Sequence, residues 1–346
     1  MNDSKTVNVA VVGLGFMGVT HLKAYQKTSG AHIAAVCDAA RKPDDNGFLG
    51  GVGGNVGTDD GVKLDMSSTR HFADFNDLLA DPNIDLIDIC LPTAAHTKFS
   101  VAALKAGKHV ICEKPLARTS DQAREIVEAA ESASSFFMPA MCMRFWPGWD
   151  WLKSTIDTGT YGKVLAARFR RVSGPPAWSK GTYLKGSESG GALLDLHIHD
   201  VDFIQHCFGR PKAVFAQGTT RISGAIDHVV AQYDFGNGIP VSAEGSWIMT
   251  GSHGFNMAFT VVLENATIDF DLTRGADALR LFEDEKDGQT IKPEGIDGYV
   301  GELQHMLDSI QAGTAPTRVT ARDGMTAVEI CEAEEQSVQT GNKVQL

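Results

Sequence analysis

Val9-Ala-Val-Val-Gly13-Leu-Gly15-Phe-Met-Gly18 runs an apolar strand into the spacing G-x-G-x-x-G, and Ile33-Ala-Ala-Val-Cys-Asp38 adds a second strand that ends in an acid. Together they form a dinucleotide-binding fingerprint. Gly13 permits the tight turn out of the strand, Gly15 lets the backbone approach a pyrophosphate, and Gly18 lets the following helix pack closely on the sheet. Met17 opens that helix, whose N-terminal N–H groups face the phosphates. Asp38, twenty residues beyond Gly18, is placed to accept hydrogen bonds from ribose hydroxyls and to repel a 2′-phosphate, which favours NAD. Arg41, three residues further on, leaves NADP open as the alternative.

Working outward, residues 7 to 143 alternate strand and helix, the pattern of a parallel sheet with crossover helices. Strands are predicted at Val7–Val12, His32–Cys37, Arg70–Phe72, Leu86–Leu91, His109–Cys112 and Phe136–Met143. Helices are predicted at Met17–Thr28, Phe75–Ala80, Thr93–Ala106 and Ser120–Ala133, the last capped by Thr119 or Ser120. One segment breaks the alternation: residues 46–61 hold seven Gly in sixteen positions and cannot sustain a helix. It reads as a mobile surface loop, with an ordered flap over the cofactor as the other reading.

Beyond residue 144 the texture changes. A helix at Gly148–Thr158, a strand at Lys163–Val172, a loop rich in Pro, Gly and Ser, and a helix at Ala192–Cys207 precede several strands of period-two alternation. In Asp227–Phe235, Val229, Ala231, Tyr233 and Phe235 share one face. Val241, Ala243, Trp247 and Met249 share another, as do Phe255, Met257, Phe259 and Val261. Helices at Gly298–Ala312 and Ala321–Thr340 follow. The fold class is α/β: a Rossmann doubly wound parallel sheet over 1–143, and over 144–346 an α/β domain with a large, mostly antiparallel open sheet. Its apolar faces are too large to stay wet, which predicts self-association by sheet packing unless helices cover them.

At 346 residues the chain suits two domains, and 43% hydrophobic with 21% charged residues is ordinary for a globular protein. A net charge of −12 argues against nucleic-acid and anionic-membrane partners. No run is long and apolar enough to span a bilayer, and the sequence opens almost directly into its first strand, so a cytoplasmic location is expected. The six cysteines lack C-x-x-C spacing and read as small buried hydrophobes.

Three further stations carry chemistry. Leu91-Pro92-Thr93-Ala-Ala-His96 follows the fourth predicted strand of the parallel sheet, and Glu113-Lys114-Pro115 follows the fifth, both at the edge where open α/β sheets bind ligands. Gly190-Gly-Ala-Leu-Leu-Asp195-Leu-His-Ile-His199-Asp200 opens a helix in the second domain. Hydride transfer from an alcohol carbon requires a base near the hydroxyl proton. Asp195 and His199, four apart, share a helix face, so the carboxylate can orient the imidazole as that base. Lys114 would donate to the substrate oxygen. No metal site is expected, because of Asp195, His197, His199 and Asp200 only the first and third share a face at helical spacing. His96 is expected to position the nicotinamide region or cap its helix. Arg144, Trp178 and Tyr183, with Lys163, Arg170 and Lys180, lie on segments expected to border a substrate cleft; a surface-loop role is the alternative for each.

With these motifs in this order the chain resembles the Gfo/Idh/MocA oxidoreductases over nearly its whole length. The resemblance implies an NAD-using dehydrogenase of sugars, cyclitols or related polyols, with catalytic roles for Lys114, Asp195 and His199. It implies cofactor contacts at Gly13, Gly15, Phe16, Met17, Gly18, Asp38, Leu91, Pro92, Thr93, His96, Glu113 and Lys114. A homodimer or homotetramer through the second domain's sheet is implied as well. Thr93 stands where the family often has asparagine, and the glycine-rich run replaces its second crossover helix. Two other functions stay open: glycoside cleavage by transient oxidation and elimination, and a non-catalytic dinucleotide-binding regulator.

Overall fold

The computed structural model describes residues 6–54, 60–176, 179, 181 and 183–346. The chain divides into two compact units, one of residues 1–142 with Asp297–Met325, the other of Met143–Ile296 with Thr326–Leu346.

In the first unit, β1 (Val7–Val12), α1 (Phe16–Tyr25) and β2 (Ala31–Cys37) lead into the short antiparallel pair β3 (Phe48–Leu49) and β4 (Val62–Lys63). There follow β5 (Arg70–Phe72), α2 (Phe75–Leu79), β6 (Leu86–Ile89), α3 (Thr93–Lys105), β7 (His109–Glu113), α4 (Ser120–Ser132) and β8 (Phe137–Ala140). Six of these strands form one parallel sheet in the order β5-β2-β1-β6-β7-β8. The order reverses between β1 and β6, the switch point outside whose carboxyl ends such sheets bind ligands. β6 is buried along its whole length and β1 and β7 nearly so, as a sheet covered on both faces requires.

Local chemistry explains the element ends. Asp74 caps α2 by accepting the Asn76 N–H, and Thr119 caps α4 by accepting that of Gln122, each worth about 1 kcal/mol. β6 stops at Ile89, short of the predicted Leu91, although the Cys90 N–H still donates to the Val12 carbonyl of β1. β8 stops at Ala140, and a 3-10 turn at Cys142–Phe145 replaces the rest of the predicted strand. Pro139 is tolerated there because β8 is an edge strand.

The second unit opens with α5 (Pro147–Thr158), which has Pro at its first position and ends on Gly159 in the left-handed conformation. β9 (Val164–Val172) and α6 (Gly186–Ser189) follow, then a π-helical turn at Leu193–His197 that runs into α7 (Ile198–Phe208). Next come β10 (Ala213–Thr219), β11 (His228–Asp234), β12 (Val241–Ser246), β13 (Asn256–Leu263), β14 (Thr267–Asp271), β15 (Leu279–Phe282) and β16 (Gln289–Thr290). After α8 (Gly298–Ala312) and α9 (Ala321–Thr340), β17 (Val344–Gln345) ends the chain. The nine-stranded sheet runs β16-β15-β14-β13-β9-β12-β11-β10-β17, antiparallel throughout except for the parallel β9–β12 pair.

Trp149 of α5 is fully buried against Phe203 of α7 and Phe259 of β13, edge-on at 4.8 and 5.0 Å. Those two helices thus cover the face that carries Phe169, Phe259 and Phe270. Trp247 is buried too, packed with Ala192, Leu196, Tyr183 and Phe255. The apolar surface expected to need a second chain is therefore covered by the unit's own helices. Exposed residues elsewhere on the sheet's strands include the polar Arg168 and Gln232 and the apolar Leu165, Val230, Val262 and Phe282. A second difference from the sequence reading concerns α8. It packs on α1 and belongs to the first unit, whereas the reading assigned everything beyond residue 144 to the second domain. Its amphipathic pattern specifies a helix and leaves open which sheet it covers.

Candidate functional site

The fingerprint turn is built around missing side chains. Gly13 has φ +91°, and a Cβ there would fall 2.5 Å from the Cys90 carbonyl oxygen; one on Gly18 would fall 1.9 Å from the carbonyl oxygen of Gly13. At Gly15 nothing among the described residues lies within 4 Å of that position, and as the N-cap of α1 it has no side chain to accept the first-turn N–H groups. An open backbone and uncapped N–H donors at a helix start make a cradle for a pyrophosphate. Phe16 and Met17 are half-buried beside it.

Asp38 accepts the Leu14 N–H through Oδ2 at 2.8 Å, and those of Ala40 and Arg41 through Oδ1. The Arg41 guanidinium donates to the carbonyls of Leu14 and Gly50. It thereby pins the start of the glycine-rich segment against the fingerprint. A Cβ on Gly54 would fall 2.0 Å from the Phe16 ring, so this stretch approaches the turn as only glycine can. Of the segment 46–61, residues 55–59 lie outside the described residues.

At the ends of β6 and β7, Leu91 and Thr93 are half-buried and Pro92 is exposed. Lys114 is half-buried at the carboxyl end of β7. Glu113 and His96, expected among the cofactor contacts, are only 5% and 1% exposed, which turns them into supports of the turn. His96 Nδ1 lies 2.8 Å from the Pro115 carbonyl oxygen and Nε2 2.7 Å from that of Leu91; the ring donates to one of them and lies against the other, between the two strand ends. Burial holds its imidazole below the ordinary histidine value, an effect those carbonyls only partly offset.

Behind Glu113 lies a buried ionic cluster that the sequence did not reveal. His21 of α1 is fully buried, with Nδ1 2.8 Å from Asp88 Oδ2 and Nε2 3.1 Å from Glu113 Oε1. Glu302 of α8 is also fully buried, its Oε1 3.8 Å from the same nitrogen. Burial would lower the His21 value, but Asp88 above all raises it well beyond the ordinary range, so the ring is an imidazolium. Burial would raise Glu113, yet the hydrogen bond and charge of His21, with Lys114, hold it below the ordinary range. Glu302 is pushed well up by burial, only partly countered by His21. His21, Glu113 and Glu302 bring ligand-type atoms within 4.8 Å of one another. Both ring nitrogens already face carboxylates, so the positive charge here is the imidazolium's own.

In the second unit the π turn decides which side chains reach the surface. Between Gly191 and Gln205 only Asp195 and His199 are half-exposed; every other residue of that stretch is buried. The two therefore emerge on one side, four residues apart. A π turn, often found at functional sites, replaces the regular helix expected over Ala192–Cys207. His197 points the other way, fully buried, with Nε2 3.2 Å from Glu334 Oε2 of α9 and 3.2 Å from the Tyr233 hydroxyl. Burial would lower the His197 value, but Glu334 raises it above the ordinary one. A Cβ on Gly245 of β12 would fall 2.6 Å from the Cβ of His197, so glycine admits the turn to the sheet. Asp200 is buried against Arg171, with Oδ1 3.1 Å from the guanidinium.

Arg144, expected to grip substrate, is instead buried, and its guanidinium donates twice to the carboxylate of Asp202, at 2.9 and 2.7 Å. Tyr183 is half-buried, edge-on to Trp247. Trp178 and Lys180 lie outside the described residues. Sequence reasoning missed His21, Asp88, Glu302, His197 and Glu334. Asp88 inside the apolar run Leu86–Ile89 was the one visible signal, since a buried carboxylate demands a partner.

Comparison with known proteins gives a consistent picture. The family model described as "Oxidoreductase family, NAD-binding Rossmann fold" matches residues 7–141, and the Gfo/Idh/MocA C-terminal domain model matches residues 149–269. The chain is 26% identical to the myo-inositol 2-dehydrogenase of Thermotoga maritima, over 98% of each chain. Among solved structures, levoglucosan dehydrogenase in complex with NADH and L-sorbose has a TM-score of 0.82 at 22% identity, over 99% of each chain. An Agrobacterium radiobacter oxidoreductase in complex with NAD+, L-tartaric acid and magnesium has a TM-score of 0.80 at 20% identity, over 99% of this chain and 98% of that one.

Proposed function

Because the chain belongs to the Gfo/Idh/MocA oxidoreductases, whose N-terminal domain is an NAD-binding Rossmann fold, we propose that it oxidises a secondary or anomeric hydroxyl carbon of a sugar, cyclitol or related polyol. The observation that carries this reading is the pairing of Asp195 with His199 as the two half-exposed residues of an otherwise buried stretch. The inositol and levoglucosan dehydrogenases among its relatives support the substrate class.

In this reading NAD lies on the open backbone at Gly15 with its pyrophosphate at the start of α1, and Phe16, Met17, Leu91, Pro92 and Thr93 border it. Asp38 accepts from the ribose. The bound cofactor supplies a hydride acceptor. His199 takes the hydroxyl proton, and Asp195 orients the ring and stabilises the imidazolium that results. The role that the family resemblance gives the Lys114 ammonium is to donate to a substrate oxygen and stabilise negative charge that develops there. The carbinol thus loses a hydride and a proton to become a carbonyl. Tyr183, Lys163 and Arg170 are the described residues retained from the substrate set. A homodimer or homotetramer through the nine-stranded sheet remains part of the proposal on the family resemblance alone.

A panel of cyclitols, aldoses and anhydrosugars incubated with the protein and NAD tests the reading through the absorbance of reduced cofactor. Lys114→Ala and His199→Ala should each lower turnover by about 100-fold or more while leaving NAD affinity nearly unchanged. Product formed without accumulating NADH, or turnover unaffected by both substitutions, overturns it.

A further inference from the structure

We propose that His21 is a positioning residue for Lys114, acting through Glu113. This rests on the reading of Lys114 as a catalytic group. Lysine carries its ammonium on a flexible four-carbon stem, so the protein can fix it only by fixing the root of the side chain. That root is held by links that do not involve the ammonium. The Lys114 N–H donates to Glu113 Oε2 at 3.0 Å. The other oxygen of that carboxylate meets His21 Nε2 at 3.1 Å, and His21 Nδ1 meets Asp88 Oδ2 at 2.8 Å. Lys114 is thereby tied to α1 through His21 and to β6 through Asp88. All three linking side chains are buried. On its far side the turn is tied by His96 to Pro115 and Leu91.

A purely structural account of the cluster is weak on energetic grounds. Burying two carboxylates and an imidazolium carries a desolvation penalty that apolar packing of similar volume would avoid, so such a group adds little net stability. What it adds is direction. Glu113 accepts the Lys114 N–H at one oxygen and faces the His21 imidazolium across an ion pair at the other, which biases the orientation of the peptide that begins Lys114. The carboxylate serves the backbone beside it, and the imidazolium fixes the carboxylate. Glu302, facing the same ring nitrogen from α8, closes the cluster on its third side.

The test uses the full chain with Glu113→Gln and His21→Gln. Each should lower kcat by about 100-fold, the cost of a misplacement of about 1 Å, while KM and the NAD dissociation constant stay within about threefold. The second readout needs no turnover. Isotope-labelled dimethyl-lysine resonances are recorded, and the Lys114 signal is assigned by its loss in Lys114→Arg. In the wild type it should be resolved from the exposed lysines, and in both variants it should collapse onto them while thermal unfolding stays cooperative. Folded variants with unchanged kcat, or with a Lys114 signal that has not moved, overturn the proposal. If the wild type turns over no polyol, the proposed function fails, and the resonance still decides the positioning role. If both variants fail to fold, Glu113→Asp, which keeps the charge and shortens the reach, takes their place: a shifted Lys114 signal supports the link and an unchanged one overturns it.

Discussion

Two buried histidines hold the Glu113-Lys114-Pro115 turn from opposite sides, and they differ in what faces them. His21 meets carboxylates, with Asp88 and Glu113 at its two nitrogens and Glu302 beyond; His96 meets only the carbonyls of Leu91 and Pro115. Both rings are taken wholly out of water. The carboxylates raise His21 well above the ordinary value, while His96 falls below it. Burial alone therefore does not decide the charge of an imidazole. The charge of its partners does, and one turn is fixed by an ionic link on the sheet side and a neutral one on the helix side.

The comparison breaks most visibly under truncation. His21→Ala leaves Asp88 and Glu113 buried without their counter-ion, and should destabilise the protein by about 3–5 kcal/mol in urea unfolding at neutral pH. His96→Ala leaves one carbonyl without its donor and a small void, and should cost about 1–3 kcal/mol. Equal losses would mean that the two sides are equivalent supports and that the charge of His21 does no particular work.

The pH dependence sharpens the same contrast, because the two shifts have opposite sign. A histidine whose folded value is raised stabilises fully below its unfolded value of about 6.5, and that contribution is lost as pH rises through the raised folded value. The contribution of His21, set by Asp88, Glu113, Cys90 and Glu302, should be complete below about pH 6.5 and fade as pH rises above it toward the raised folded value. A histidine whose folded value is lowered behaves in reverse. His96, with Glu113 and Lys114 as its charged neighbours, should stabilise above about pH 6.5 and lose that contribution as pH falls toward its depressed value. In unfolding curves taken across pH, the gap between wild type and His96→Ala should be widest above neutral and narrow in acid. The gap for His21→Ala should narrow on the alkaline side, and the reverse order would refute both assignments.

The two sides of the turn also differ in how far the sequence discloses them. His96 lies on the helix that starts directly after Pro92, five residues from its Leu91 partner, so a local contact at that strand end was within reach of the sequence. His21 finds its partners 67 residues away at Asp88, and further still at Glu113 and Glu302. No local periodicity carries such pairings. The same holds in the second unit, where His197 pairs with Glu334, and where the π turn at Leu193–His197 replaces a regular helix that the apolar pattern predicts equally well. Parallel strands are legible because both faces are buried and their sequences are continuously apolar. The fingerprint is legible because its glycines answer local steric demands. The assignment of α8 to the first unit, the covering of the large sheet by α5 and α7, and the diversion of Arg144 to Asp202 all depend on distant contacts, which sequence alone did not supply.

The smallest effect tests the finest part of the contrast, the claim that the acid beyond His21 is uncharged. Glu302 is fully buried, and burial together with the neighbouring Glu113 and Asp88 charges pushes its value well up against the pull of His21. A neutral carboxylic acid and a carboxamide have nearly the same shape and no net charge. Glu302→Gln should therefore change the unfolding free energy at neutral pH by less than about 1 kcal/mol, the scale of one neutral hydrogen bond. It should also leave the alkaline fading of the His21 contribution in place. An ionised Glu302 would behave otherwise: its removal would take a charge from beside the imidazolium, lower the His21 value and move that fading toward neutral pH. A shift of that kind in the unfolding profile of Glu302→Gln would show three carboxylates sharing one imidazolium, and the sheet side of the turn would then carry one more negative charge than the geometry and burial imply.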